Sequence, residues 1–292
     1  MSIFFLIMAQ AVTGINITGS KYLVAHLPII VLLEIRFVIG SIVLLSCIPF
    51  FGNKNKNDRI SKLNKKDWGI LIAQALCAGM AFNLLMLSGI QFTSASMAGL
   101  ITSTLPAIII LLSFVFFKQR ITRFKLLCII FATIGLVAIN GPNLRGTNAS
   151  LISLLGDAII LLAMIPEASY YVISKFKSTH LSPVKSAFLM NIINAIAMVP
   201  ILFFANWHKL FTLSTTGYGV LLLVSLASAL FYLFWFLGCN NVSTSTAGLL
   251  TAFMPISTLL LSFLFLNEAI TLLQGIGTLL ILSSIVFGSR KS

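Results

Sequence analysis

Charge is what this sequence has least of. Asp, Glu, Lys and Arg together make up 9% of its 292 residues, and only six of them are acidic. Soluble domains carry roughly a quarter of their residues as charges. That class is excluded, and 59% apolar residues mark a membrane protein instead. Cysteine and histidine are also sparse. Cys47, Cys77, Cys128 and Cys239 fall inside apolar runs without CxxC spacing, and His26, His180 and His208 lie at the ends of such runs. Neither a disulfide framework nor a metal site is expected from that set, and no cofactor. HExxH, GxSxG and Walker sequences are missing, which weakens an enzyme reading and argues against direct drive by ATP.

What is present is apolar sequence almost end to end. A hydrocarbon core about 30 Å thick needs roughly 20 apolar residues per helix. Runs between charged or Pro/Gly-rich breaks predict ten helices, over 2–21, 28–51, 68–89, 94–117, 124–141, 152–174, 184–205, 217–238, 245–266 and 271–288. The expected fold class is all-α integral membrane. The first run lacks a basic leader and is interrupted by Thr13, Gly14, Asn16 and Thr18, so it reads as an uncleaved helix rather than a signal peptide.

The net charge of +13 raises the question of a nucleic-acid partner, and the positions of the basic residues answer it. They occupy the connections. With the N-terminus inside, the cytoplasmic side holds six Lys and Arg in 54–66, four in 118–125, three in 175–185, and Arg290 and Lys291. The opposite side holds only Lys21, Arg145 and Lys209, while Arg36 lies within the second helix. This is a positive-inside distribution with both termini cytoplasmic, and it implies no nucleic acid.

A shift of 149 residues aligns Ser94 to Thr122 with Ser243 to Thr271, nearly half of the positions being identical. The matches include Ser94 with Ser243, Gly99 with Gly248, Thr102 with Thr251, Pro106 with Pro255 and Thr122 with Thr271, which shared apolarity alone would not preserve. A second trace, at an offset of 154 to 155, links "SKYLVAHLP" from Ser20 with "SKFKSTHLSP" from Ser174. Each half is then about five helices, 1–146 and 147–292. An odd number of spans per half makes the second copy enter from the opposite face. The loop "KQRITRFK" carries four basic residues and its counterpart "NEAITLLQ" none, as such an inversion requires. Two inverted halves suit alternating access to one central site; a duplicated structural bundle is the alternative.

The stretch "FLNEAITLLQGIGTLLILSSIVFG" around Glu268, the Gly156-Asp157 pair opening the sixth helix, and Arg36 in the second together resemble the drug/metabolite transporter superfamily, and within it the ten-helix EamA-like permeases. The resemblance covers nearly the whole chain. It departs from the family at Gln119, where Glu is usual, and at Thr13 to Asn16, where the family has Trp or Gly-Ser. It implies a secondary transporter in a bacterial inner membrane, exporting amino acids or related metabolites from a midplane site lined by helices one, three, four, six, eight and nine. Its partners would be a small-molecule substrate, membrane lipid and protons; a homodimer stays open. Rival readings are a membrane scaffold and an enzyme acting on lipid-linked substrates.

Ionisable groups inside a bilayer are functional candidates by default. Glu167 is the most interior carboxylate, preceded by Pro166 and followed one turn on by Tyr170 and Tyr171. It either changes protonation or meets a cationic substrate group during transport, or it pairs structurally with another helix. Arg36 is a candidate for a substrate anion or an anchor, and it cannot pair within its helix with Glu34, two residues away. Pro106 and Pro255 remove backbone hydrogen bonds at matching places and suit a gate, with Thr102 and Thr251 one turn before them. Asn16, Asn83, Asn191 and Asn194 either line a cavity or pack between helices. Tyr232 and Trp235 supply aromatic walls if the eighth helix faces that cavity.

Overall fold

The computed structural model describes residues 1–51, 58–92, 101–102, 104–118, 123–140, 151–174, 181–239, 242–254, 256–257, 259–260 and 271–290. Among the described residues all regular structure is helical: α1 (Ser2–Val24), α2 (Ile29–Phe51), α3 (Lys65–Gly89), α4 (Leu105–Phe117), α5 (Arg123–Asn140), α6 (Leu151–Ile173), α7 (Pro183–Leu202), α8 (Thr215–Cys239), α9 (Thr244–Leu250) and α10 (Leu272–Arg290). Short turns of helix occur at Ile60–Lys62 and His208–Phe211. Six of these helices, α1, α2, α3, α6, α7 and α8, are long and apolar enough to cross a bilayer. Large apolar side chains such as Leu111, Phe114, Phe131, Ile134 and Leu162 point outward, which water would oppose and lipid accepts. The chain is an all-helical, multi-pass membrane protein.

Local chemistry sets the helix starts. Asn64 and Asp67 form a reciprocal capping box (Asp67 N to Asn64 Oδ1, 2.8 Å; Asn64 N to Asp67 Oδ2, 3.1 Å), so α3 begins at Lys65, earlier than its apolar run. Thr271 and Gln274 cap α10 in the same way, with Thr271 N donating to Gln274 Oε1 at 2.9 Å. Between Leu76 and Ala81, α3 widens into a π-helical turn.

The bend expected near Pro106 involves residues 93–100 and 103, which lie outside the described residues. Pro106 sits in the first turn of α4, where its missing N–H costs nothing, and the chain turns just before it at Thr104. The chain of α9 turns at Thr251 and Ala252, closed by i to i−3 bonds from Thr251 N to Gly248 O (3.2 Å) and Ala252 N to Leu249 O (3.1 Å). Pro255 and Glu268 lie outside the described residues, as do Gln119 and parts of both copies of the 94–122 repeat.

Prominent packing pairs are α1 on α8, α3 on α6, α2 on α7, α2 on α8, α3 on α7, α7 on α8, α4 on α6, α4 on α9 and α5 on α10. Exchanging each helix for the one five places away relates α1 on α8 to α3 on α6 and α2 on α8 to α3 on α7, and returns α2 on α7, α4 on α9 and α5 on α10 to themselves. One contact occurs twice in atomic detail. A Cβ placed on Gly89 would meet Ile160 at 2.6 Å and the Gly156 carbonyl at 3.0 Å, and one on Gly238 would meet Leu6 at 2.7 Å and the Ser2 carbonyl at 2.8 Å. In both places only hydrogen fits between two helix backbones. The 25–28 turn joins α1 to α2 at one end of the bundle, and Asp58 lies at the other, beside the start of α7.

Asp58 is buried and caps a helix belonging to the other half of the chain. It accepts from Ser182 N (2.8 Å) at the start of α7 and pairs with Lys185 Nζ (3.0 Å), which also donates to the Asp58 carbonyl. Burial pushes the carboxyl upward, but the Ser182 and Lys185 bonds outweigh it and hold the group below its ordinary value of 3.8. A carboxyl whose folded value lies below its unfolded value contributes stability above the unfolded value and loses it as pH falls through the folded one. Asp58→Asn is therefore expected to lower thermal stability by the equivalent of about 1.5–3 kcal/mol at pH 7. Thermal unfolding in detergent across acidic pH should show the difference between the two proteins shrinking below the carboxylate range. Gly156→Ala is expected to cost about 1–3 kcal/mol, because its Cβ would lie 2.9 Å from the Gly89 carbonyl, and the same unfolding assay reads it.

Candidate functional site

A cavity of about 90 Å³ lies between α1, α2, α3, the start of α4, and α6. That is ample for several water molecules, each needing roughly 10–15 Å³ by this measure. It runs from mid-bundle, at Thr13, Asn16 and Glu167, toward the 25–28 end, where Val24 and Ile90 border it. Most of its wall is apolar and supple, with Met86, Met164 and Met254 among the lining residues.

The polar lining is a short list of residues from separate helices. Arg36 of α2 is 2% exposed; its Nη2 donates to Ser228 Oγ of α8 at 3.2 Å, and its Nε has no hydrogen-bond partner. Glu167 of α6 is 7% exposed, with the Tyr171 hydroxyl one turn on within hydrogen-bonding reach. Among the described residues neither charge forms an ion pair. Asn83 follows directly on the π-helical turn of α3, and its amide nitrogen donates to Ala78 O (2.9 Å) and Gly79 O (2.7 Å). These bonds tie the side chain to the widened turn, with Phe82 and Asn83 at the wall.

Five of the residues singled out from the sequence meet at this cavity: Arg36, Glu167, Asn16, Asn83 and Thr102. Tyr170, Tyr171, Tyr232 and Trp235 do not line it. They form a buried cluster toward the Asp58 end, with ring centroids 4.5 Å apart for Tyr171 and Trp235, 5.9 Å for Tyr170 and Trp235, and 6.1 Å for Tyr170 and Tyr232. Thr251 is buried with its hydroxyl on Gly248 O at 2.6 Å, a local repair of the turn in α9. Asn191 and Asn194 are packing residues: each donates to the carbonyl four residues back, at 2.9 and 2.8 Å, and each fills the space over a glycine, Gly40 of α2 and Gly79 of α3. Helix two contributes Arg36, and the cavity takes nothing from α8, contrary to the lining that the resemblance implied.

Several lining residues gave no sequence signal. Ser20, Met86 and Met164 look like ordinary content of an apolar helix. Asp58 had a faint one, as the lone acid in the basic stretch before Asp67.

An apolar bundle with a partly polar internal cavity, and with charges facing that cavity rather than each other, has the build of a membrane transporter. The model of the EamA-like transporter family matches residues 1–141 and again 154–290, and the chain belongs to that family. "Uncharacterized transporter YetK" of Bacillus subtilis is 28% identical over 95% of this chain and 83% of its own length. An "Uncharacterized transporter" of Archaeoglobus fulgidus is 24% identical over 98% and 99%, and "Protein PecM" of Dickeya dadantii is 26% identical over 75% and 72%. A solved crystal structure, 15% identical, superposes with a TM-score of 0.78 over 99% of this chain and 96% of that one, and shows the same fold. Family and relatives place the protein among transporters, with a small-molecule substrate and a membrane environment, rather than among enzymes.

Asn83→Ala would remove two side-chain hydrogen bonds to the π-helical turn. It is expected to cost about 1–3 kcal/mol in thermal unfolding, and Asn83→Asp, which keeps the shape without the N–H groups, should cost at least as much.

Proposed function

We propose that this protein is a secondary transporter that exports small metabolites, amino acids or related compounds, across the bacterial inner membrane by alternating access, with a proton as coupling ion. The observation that carries the reading is the pair of buried groups, Arg36 and Glu167, without ion-pair partners among the described residues and facing one cavity from different helices. A guanidinium and a carboxyl on one apolar-walled site suit a solute that carries both charges and an apolar body. Glu167 is the proton carrier, because it lies at the end of the cavity furthest from the 25–28 turn, where a site emptied toward one face must be reset.

The architecture proposed is ten spans in two inverted halves, 1–146 and 147–292, with both termini and Asp58 cytoplasmic. Support comes from the basic connections, from two successive family matches along the chain, and from packing pairs that survive exchange of helices five places apart. On that orientation the cavity runs toward the outer face.

Uptake of a labelled amino-acid pool into proteoliposomes, with and without a pH gradient, tests the proposal. Gradient-dependent uptake should be lost in Glu167→Gln, and Arg36→Ala should raise the apparent KM by about tenfold or more. Unchanged rate and pH dependence in Glu167→Gln would remove the proton role. No uptake of any member of the pool by the unmodified protein would overturn the amino-acid assignment.

A further inference from the structure

The internal repeat connects the cavity with the aromatic cluster. Carried back from Ser94 and Ser243 without a gap, the shift of 149 residues sets Phe82, Asn83 and Met86 against Phe231, Tyr232 and Trp235. The shift of 154 sets Thr13, Asn16 and Ile17 against Glu167, Tyr170 and Tyr171. Both registers reappear as contacts, since Gly89 lies on Gly156 and Ile160 where Gly238 lies on Ser2 and Leu6. The space between α1 and α3 toward the 25–28 end is thus the counterpart of the space between α6 and α8 toward the Asp58 end. In the first, Asn16, Ile17, Asn83 and Met86 border an open cavity. In the second, the corresponding positions carry Tyr170, Tyr171, Tyr232 and Trp235, all buried, whose rings fill the gap.

We propose that these four rings are the gate that closes the Asp58 end in this conformation, and that the opposite-facing state forms when α6 and α8 part there as α1 and α3 are parted now. The proposal rests on the transporter reading above. Interlocked side chains, more than backbone contact, bridge α6 and α8, so rotation of a few rings would open the path. The closed gate also carries a built-in counterweight. The Tyr170 hydroxyl and Trp235 Nε1 are buried without hydrogen-bond partners, and opening would give both of them water or solute. Packing favours the closed arrangement and hydrogen bonding the open one, which is the balance a two-state element needs. Glu167 stands between cavity and gate, with the gate ring Tyr171 in reach of its carboxyl. Occupancy of the site and the state of the gate therefore meet at one residue.

The test uses the full chain in proteoliposomes with Cys47, Cys77, Cys128 and Cys239 replaced by Ala and Thr13→Cys as reporter in the cavity. A membrane-impermeant maleimide is applied from either side, the sides being identified by Ser61→Cys and Gln91→Cys in separate samples. The reporter should label from the Gln91 side, and about tenfold or more slowly from the Ser61 side. Tyr170→Ala with Trp235→Ala should raise the Ser61-side rate by about tenfold while Gln91-side labelling persists as proof of folding. An unchanged Ser61-side rate in that folded variant overturns the gate. Should the double variant not fold, Tyr170→Phe keeps the ring and removes one orphaned group; it is expected to raise thermal stability and slow Ser61-side labelling, and an equal or faster rate overturns the proposal. Labelling needs no substrate, so failure of the gate with uptake intact, and failure of uptake with the gate intact, are separate results.

Discussion

Inside hydrocarbon a helix gains little by burying one leucine in place of another, so the bundle is held where backbones can touch. Gly89 on the Gly156 carbonyl and Gly238 on the Ser2 carbonyl are such places, and they join α3 to α6 and α8 to α1. Gly135 of α5 against the Gly277 carbonyl of α10 is a third. Each contact ties the first half of the chain to the second. With those pairs drawn together, the helices between them are left standing apart, and the gaps are filled by side chains or left as cavity. The functional space of this protein is what remains after its glycines have brought certain helix pairs into contact.

Polar groups then divide by whether that packing finishes them. Asn191 and Asn194 are finished in part: the amide nitrogen of each bonds to its own helix and the side chain fills the notch over a glycine on its neighbour, while Oδ1 is buried without a hydrogen-bond partner. Asp58 is finished by the start of α7 and by Lys185. Arg36 and Glu167 are not, since neither meets an opposite charge among the described residues although both are nearly sealed from solvent. Burying a charge without a partner is expensive enough that a bundle retains it only where something else supplies the partner part of the time. In the transport cycle proposed above, that something is the small-molecule cargo.

Membrane class, the number of apolar runs and the repeat were legible because each leaves a mark on linear sequence. A span needs about 20 apolar residues, an inside connection attracts Lys and Arg, and a duplication keeps its polar landmarks. Glu167, Arg36, Asn16, Asn83 and Thr102 could be picked out as polar groups within apolar runs, and the fold brings these five to one cavity. The same reasoning could not separate them from Tyr232, Trp235 and Thr251, which are just as polar and just as deep in their helices.

Sequence by itself determined that this chain spans a membrane, carries an internal sequence repeat, and has a handful of polar groups within its apolar runs, since these are matters of composition and order. Tertiary structure alone decided which gap became a cavity and which became a wall of rings. The two gaps are related by the repeat, and they differ because Asn16, Ile17, Asn83 and Met86 leave space where Tyr170, Tyr171, Tyr232 and Trp235 interlock across α6 and α8. Whether facing side chains meet depends on the separation and rotation of two helices, and those are set by distant glycine contacts rather than by the residues themselves.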